Sequence, residues 1–346
     1  MGRVTWHFVW LWMLFASLAA RPGQSQDAQP QPAEPVSTAS TGPINFPTAT
    51  LGGVQFWSDE LVLPGWRIQR NALTEHYRLL DKRDFRRAWG TFDECQACLD
   101  DLPAVPLSGK AVVTLHGLGR SREAMDGIGE YLTQRGDYTW INVSYASSRR
   151  SLDEHAQSLA RVLENLDGID EIHLVCHSLG NLVVRRYLGE SAMPAPQWKP
   201  DPRITRMVML GPPNTGSRIA RLFKDNQLFG LVTGPSGKEL ALSWDEAERR
   251  LATPRFEFGI IAGGRGNDAG LNPILAGDDD LIVAVDETRL AGADDFLVVP
   301  LLHSGLLRDE RVQTHILRFL DKGYFVSADE RAPIEPAAVA RRPGQP

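Results

Sequence analysis

"VCHSLGNLVVRRYL", Val175 to Leu188, decides how this chain folds. The residues leading into it, "DEIHLV" from Asp170, form a short apolar run of strand type. Those following it, from Leu179, carry apolar residues at helical spacing. Ser178 therefore stands at a strand-to-helix corner, with Cys176 two residues before it and Gly180 two residues after. A corner this tight needs small neighbours and lifts a hydroxyl clear of a sheet, and the spacing is a variant of G-x-S-x-G. Taken singly the pattern is only moderately specific, because a serine at a helix start is usually a cap.

Working outward, strand-like and helix-like stretches alternate. "KAVVTLHG" (from Lys110), "YTWINVSY" (from Tyr138), "RITRMVMLGPP" (from Arg203), "FEFGIIAGG" (from Phe256) and "DDFLVVP" (from Asp294) read as strands. "SREAMDGIGEYLTQRG" reads as a helix capped by Ser121 and stopped by Gly136. "SLDEHAQSLARVLENLDG" opens with Ser151 and Glu154 at capping-box spacing, and "RDERVQTHILRFLDKG" closes the set. The strands are continuous apolar runs rather than alternating ones, which fits strands buried on both faces. The expected fold class is α/β, with a mainly parallel central sheet and helices on both faces.

In such sheets ligands sit beyond the carboxyl ends of the strands. Four features gather there. The first is Ser178. The second is "HGLGRS", a glycine-containing turn after a strand. It can aim the Leu118 N–H at a developing oxyanion, with the Leu179 N–H as partner and His116 orienting the loop. The third is "GDDDLIVAVDE", in which one of Asp278, Asp279 and Asp280 is more than a solvated charge. The fourth is "VVPLLHSGLL", which puts His303 between a strand and the last helix. A neutral imidazole there can take the serine proton, with a carboxylate holding its tautomer. The order Ser178, Asp280, His303 is the one this kind of sheet uses. The remaining histidines, His7, His76, His155, His173, His177 and His315, read as ordinary packed residues.

At these residues the chain resembles the α/β-hydrolase superfamily, and within it the bacterial lipase/esterase-like members. "VTLHGLGRS", "LVCHSLGNLVVRRYL", "MVMLGPPNTGS", "LNPILAGDDDLIV" and "VVPLLHSGLL" match that family's segments in order, over roughly residues 105 to 322. The resemblance implies a nucleophile at Ser178, an acid at Asp280, a base at His303 and oxyanion donors at Leu118 and Leu179. It implies acyl transfer to water through a covalent acyl-enzyme, with no metal and no organic cofactor. The sequence departs from the family pattern at Cys176, where glycine is usual. It departs again at Leu281 and Ile282, where Gly-Thr is common, and this keeps Asp279 as the alternative to Asp280. The expected activity is that of a carboxylic ester hydrolase, an esterase or lipase. A thioesterase, amidase or acyltransferase of the cell envelope is the alternative, and a non-catalytic binding protein on the same fold is a third reading.

The rest of the 346 residues sets bounds. The formal net charge of −6 is spread along the chain, and no basic block marks a nucleic-acid surface. Residues 1–20, "MGRVTWHFVWLWMLFASLAA", have the layout of a secretory signal peptide, with an uncleaved anchor as the alternative. Export to the periplasm or medium follows, with membrane-surface association open to an anchored form. Residues 21–49 are rich in Pro, Gln and Ser and read as a disordered linker. Residues 50–104, with Trp57, Trp66, Tyr77 and Trp89 among many charges, read as an N-terminal extension whose latter half is helical. Cys95 and Cys98 form C-x-x-C, either a local disulfide or two ordinary helix cysteines. The hydrolase domain is expected over 105–325 and a disordered tail over 326–346. Leu222, Phe223, Leu228, Phe229, Leu231 and Val232 line an acyl pocket or lid, or pack over the sheet edge.

Overall fold

The computed structural model describes residues 48–49, 55–102, 106–216, 234–237, 244–267, 270–273 and 275–335. Residues 1–20 read as a leader, nearly all of residues 21–49 read as a linker, the apolar segment from Leu222 to Val232 and residues 336–346 lie outside the described residues. Among the described residues no helix is long and apolar enough to cross a membrane.

The chain from Pro43 onward forms one compact unit holding two sheets. The first is antiparallel: β1 (Thr48–Ala49), β2 (Trp57–Leu63), β3 (Trp66–Asn71), β4 (Tyr77–Asp81) and β5 (Phe85–Gly90), in the order β1-β5-β4-β3-β2. It is followed by α1 (Phe92–Asp100), which Thr91 and Glu94 begin with a capping box. Leu61, Ile68, Leu79 and Ala88 pack with Cys95 and Leu99 of α1 into a small core. This corrects the reading of the extension's latter half as helical, since only α1 is. β2 buries every residue from Ser58 to Val62, including Asp59 and Glu60. Those carboxylates break the apolar pattern by which a strand is recognised. The linker also ends earlier than expected, because Thr48 and Ala49 pair with Arg86 and Phe85. Cys95 and Cys98 are free thiols on α1.

The second sheet is parallel and six-stranded. It comprises β6 (Gly109–Leu115), β7 (Thr139–Val143), β8 (Ile169–His177), β9 (Ile204–Leu210), β10 (Glu257–Gly263) and β11 (Asp295–Val299), in the order β11-β10-β9-β8-β6-β7. Its helices are α2 (Asp126–Arg135), α3 (Leu152–Glu164), α4 (Leu179–Gly189), α5 (Trp244–Arg249) and α6 (Glu310–Lys322). Successive strand residues enter different cores. Val113, Leu174, Met209 and Ile260 pack with α3 and α4. Val112, Val175, Val208 and Ile261 pack with α2 and α6. Two apolar faces explain the unbroken hydrophobic runs in the sequence. α3 carries the expected Ser151–Glu154 capping box, and α6 ends on Gly323 at φ 78°. Ser121 makes no side-chain cap. The chain instead enters α2 through a 3-10 turn, Arg122–Met125.

The tail expected from residue 326 is described as far as Glu335 and is anchored by Ile334. Phe325 and Ile334 are buried, and Ile334 exchanges backbone hydrogen bonds with Gly292 and Ala293. These apolar residues are too sparse to show a period.

The chain runs from β6 outward to β7, then returns across β6 to β8 and continues outward the other way. The order reverses between β6 and β8. Such a switch point leaves a crevice above the carboxyl ends of the two strands, where the loop after Leu115 and the corner at Ser178 meet.

Candidate active site

At the end of β8 the backbone turns on Ser178, at φ 51° and ψ −120°. A residue with a side chain rarely adopts this conformation, and its surroundings must hold it there. Ser178 N donates to Leu210 O at 2.9 Å, and Asn181 Nδ2 donates to Ser178 O at 2.9 Å. Gly180 lets α4 close down on β6: a Cβ there would lie 2.7 Å from Leu115 O and 2.9 Å from His116 O. Cys176 is tolerated two residues earlier because its side chain enters the core with Leu115 and Met209. Burial pushes its thiol well above the ordinary range, so it stays protonated and no thiolate competes with the hydroxyl.

The three aspartates separate by what they hold. Asp278 accepts from the N–H groups of Arg265 (2.6 Å) and Gly266 (2.8 Å). Asp279 accepts from those of Leu271 (2.9 Å), Asn272 (2.9 Å) and Leu281 (2.8 Å), which braces the loop. Asp280 accepts at Oδ1 from Ile282 N (3.0 Å) and Val283 N (2.8 Å), and its Oδ2 lies 2.6 Å from His303 Nδ1. Asp280 is fully buried and His303 is 5% exposed. His303 N also donates to Asp280 O at 3.0 Å, so backbone and side chain fix the same pairing. Leu281 sits at φ 82°, a conformation that favours glycine. Asn272 Nδ2 donates to its carbonyl at 2.8 Å.

Two residues around His303 were not singled out from the sequence. Gly211, directly after β9 and at φ 51°, would place a Cβ 3.0 Å from both Cε1 and Nδ1 of the His303 ring. His177, read as a packed histidine, lies with its ring centroid 4.5 Å from that of His303, and its Nε2 is 3.1 Å from His303 O. Burial, with His303 alongside, holds its pKa well below the usual histidine range. The ring is therefore neutral and donates from Nε2. The available signals were the place of His177 inside the serine corner and the glycine of "MLGPP". His177, the residue before Ser178, is thus one of the two groups packed against the His303 ring. The described residues show no hydrogen bond between Ser178 Oγ and His303 Nε2, a contact that often tightens only when substrate binds.

Leu179 opens α4, where a backbone N–H has no partner within the helix. Leu118 lies in a turn closed by Arg120 N donating to Gly117 O at 3.2 Å, with Gly119 at φ 69°. The fully buried His116 stacks on Tyr145 with centroids 4.3 Å apart, and the Tyr145 hydroxyl donates to His116 O. Burial pushes the His116 pKa down to about 4, so this ring too is neutral.

A six-stranded parallel sheet in this order has the serine corner after its β8, the acid after β10 and the histidine after β11. The chain has the α/β-hydrolase fold. No protein-family model matches its sequence, and no curated protein matches it. Solved structures resemble it at low identity. The mature lipase BlEst2 of Bacillus licheniformis is 18% identical, at a TM-score of 0.45 over 64% of this chain and 95% of that one. The product of gene lin2722 of Listeria innocua is 17% identical, at 0.44 over 66% and 98%. Phospholipase PlaB of Legionella pneumophila is 16% identical, at 0.40 over 52% and 44%.

Proposed function

We propose that this chain is a serine hydrolase of carboxylic esters. Ser178 Oγ attacks the ester carbonyl while His303 Nε2 takes its proton. Asp280 orients the imidazole through Nδ1 and stabilises the imidazolium. The Leu118 and Leu179 N–H groups receive the charge on the tetrahedral oxygen. His303 then returns the proton to the leaving alcohol, and water releases the acyl group from Ser178 by the same steps in reverse. The observation that carries this reading is the buried 2.6 Å contact of His303 with Asp280, with the ring of His177, next to the strained Ser178, packed against His303. We further propose export, which rests on the leader-like residues 1–20 alone.

The test is a substrate panel on the purified chain: p-nitrophenyl esters from acetate to palmitate, acyl thioesters, an anilide, and an ester with an added alcohol acceptor. Turnover of the simple esters, abolished in Ser178→Ala, is expected. Turnover confined to the thioesters, the anilide or the acceptor reaction contradicts ester hydrolysis as the activity.

A further inference from the structure

The N-terminal sheet reaches the loop that carries Leu118, and among its contacts there one side chain holds both ends of the turn. Gln55 precedes β2. Its Nε2 donates to Arg120 O at 2.7 Å. Its Oε1 accepts from Ser148 N (3.0 Å), Ser148 Oγ (2.5 Å) and Ser147 Oγ (3.2 Å). Ser147 Oγ in turn accepts from Gly119 N at 3.0 Å. One amide thus binds both ends of the Leu118 turn, directly at Arg120 and through Ser147 at Gly119. Gln55 holds φ 60°, a conformation uncommon for a residue with a side chain, so its own backbone is held against its preference.

The segment that Gln55 grips is itself fixed by β2. Asp59 N donates to Ser144 O at 2.8 Å, the Asp59 carboxylate accepts from Ser144 N at 2.6 Å, and Ser58 Oγ accepts from Ala146 N at 3.1 Å. Residues 144–148 are all buried. Tyr145, in the middle of them, stacks on His116 at the other side of the turn. A continuous path therefore runs from β2 through residues 144–148 to residues 116–120.

We propose that Gln55 is a positioning residue for the oxyanion turn, and that the N-terminal sheet is part of the catalytic apparatus through it. This rests on the serine-hydrolase reading, in which the Leu118 N–H receives charge. Donor placement matters only as charge develops in the transition state, so loss of the clamp lowers kcat and leaves KM nearly unchanged. A misplacement of the order of 1 Å costs up to about 100-fold.

The experiment uses the full chain with Gln55→Ala, Ser147→Ala and the double variant, and p-nitrophenyl butyrate as substrate. Gln55→Ala is expected to lower kcat by about 10–100-fold, with KM within about twofold and the protein still folded at the assay temperature, at a lowered melting temperature. The double variant is expected to lose little more than the worse single one, because both residues act on one turn. Hydrogen exchange followed by mass spectrometry is expected to be faster over residues 116–120 in Gln55→Ala, and this readout does not need activity. A kcat within twofold of wild type, a kcat loss matched by an equal loss of folded protein, or unchanged exchange over 116–120 overturns the proposal. A wild type that hydrolyses no ester while Gln55→Ala still loosens the turn refutes the hydrolase reading and leaves the clamp standing as structure.

Discussion

The two sheets of this molecule are built by opposite means. The parallel sheet is held by apolar side chains on both faces, with no Asp, Glu, Lys or Arg inside its central strand residues 111–115 and 172–176, where burial holds the pKa of His173 down. The antiparallel sheet buries Asp59, Glu60, Gln69 and Arg78 among its apolar residues. They satisfy one another and the body. Asp59 accepts from Arg67 and Gln69, each at 2.8 Å, and Gln69 Oε1 accepts from Arg78 Nη2 at 2.8 Å. Glu60 accepts from Ser158 (3.1 Å) and Arg161 (2.6 Å) of α3. Hydrophobic burial is non-directional and tolerant, whereas a buried polar network stands only if every member keeps its partner. The parallel sheet therefore specifies where strands run, and the antiparallel sheet specifies how one surface docks on another.

This contrast has consequences of different sizes. The largest belongs to the site on the parallel sheet. Asp280→Asn is expected to lower kcat for a p-nitrophenyl ester by about 10⁴-fold by favouring the wrong imidazole tautomer. Asp279→Asn, which braces the loop without touching His303, loses far less. Steady-state kinetics on the pair check this, and equal losses would return the acid's assignment to an open choice. Next comes the polar network. Asp59→Ala strands the Arg67 guanidinium and the Gln69 amide, and is expected to cost about 3–5 kcal/mol in urea unfolding. A cost below about 1 kcal/mol would mean the antiparallel sheet is held by its apolar cluster after all.

A smaller effect is expected where the two kinds of packing meet the catalytic ring. Gly211→Ala forces a methyl group against His303 and strains a positive φ, and should lower kcat by up to about 100-fold with little change in KM. The smallest expected effect is in the pH dependence of stability. The folded-state pKa of His116, about 4, lies below the unfolded value. Its neutral form is thus the one that folds, and the stability it contributes is complete above about pH 6.5. That contribution is lost as pH falls toward 4, because the unfolded chain takes up the proton first. Between pH 7 and pH 5 the wild type should lose about 2 kcal/mol more than His116→Gln, measured by urea unfolding at each pH. Parallel losses would contradict the burial argument for this ring.

What could be read from the sequence follows the same division. The strands of the parallel sheet, the Ser151 capping box and the positions after β8, β10 and β11 were legible because continuous apolar runs and short polar interruptions map directly onto buried strands and their ends. The approach of Asp280 to His303 was expected only through order along the chain and a family resemblance. Which of three adjacent aspartates faces the ring depends on backbone N–H groups that no pattern displays. The meander was illegible because Asp59, Glu60, Gln69 and Arg78 occupy strand positions that read as solvent-facing. His177 and Gly211 were missed for a different reason: their work is to fit against another ring, and fit has no periodicity. The packed segment up to Ile334 was missed because a few isolated apolar residues were enough to hold it.

The central claim is that the Ser178 hydroxyl is activated by the buried His303–Asp280 pair. Intact-mass and peptide mass spectrometry after treatment with a fluorophosphonate test it most directly. One adduct per folded chain is expected, on the peptide containing Ser178, absent in Ser178→Ala and strongly slowed in His303→Ala. A folded wild type that takes no adduct, or an adduct that persists unchanged in Ser178→Ala, would contradict it.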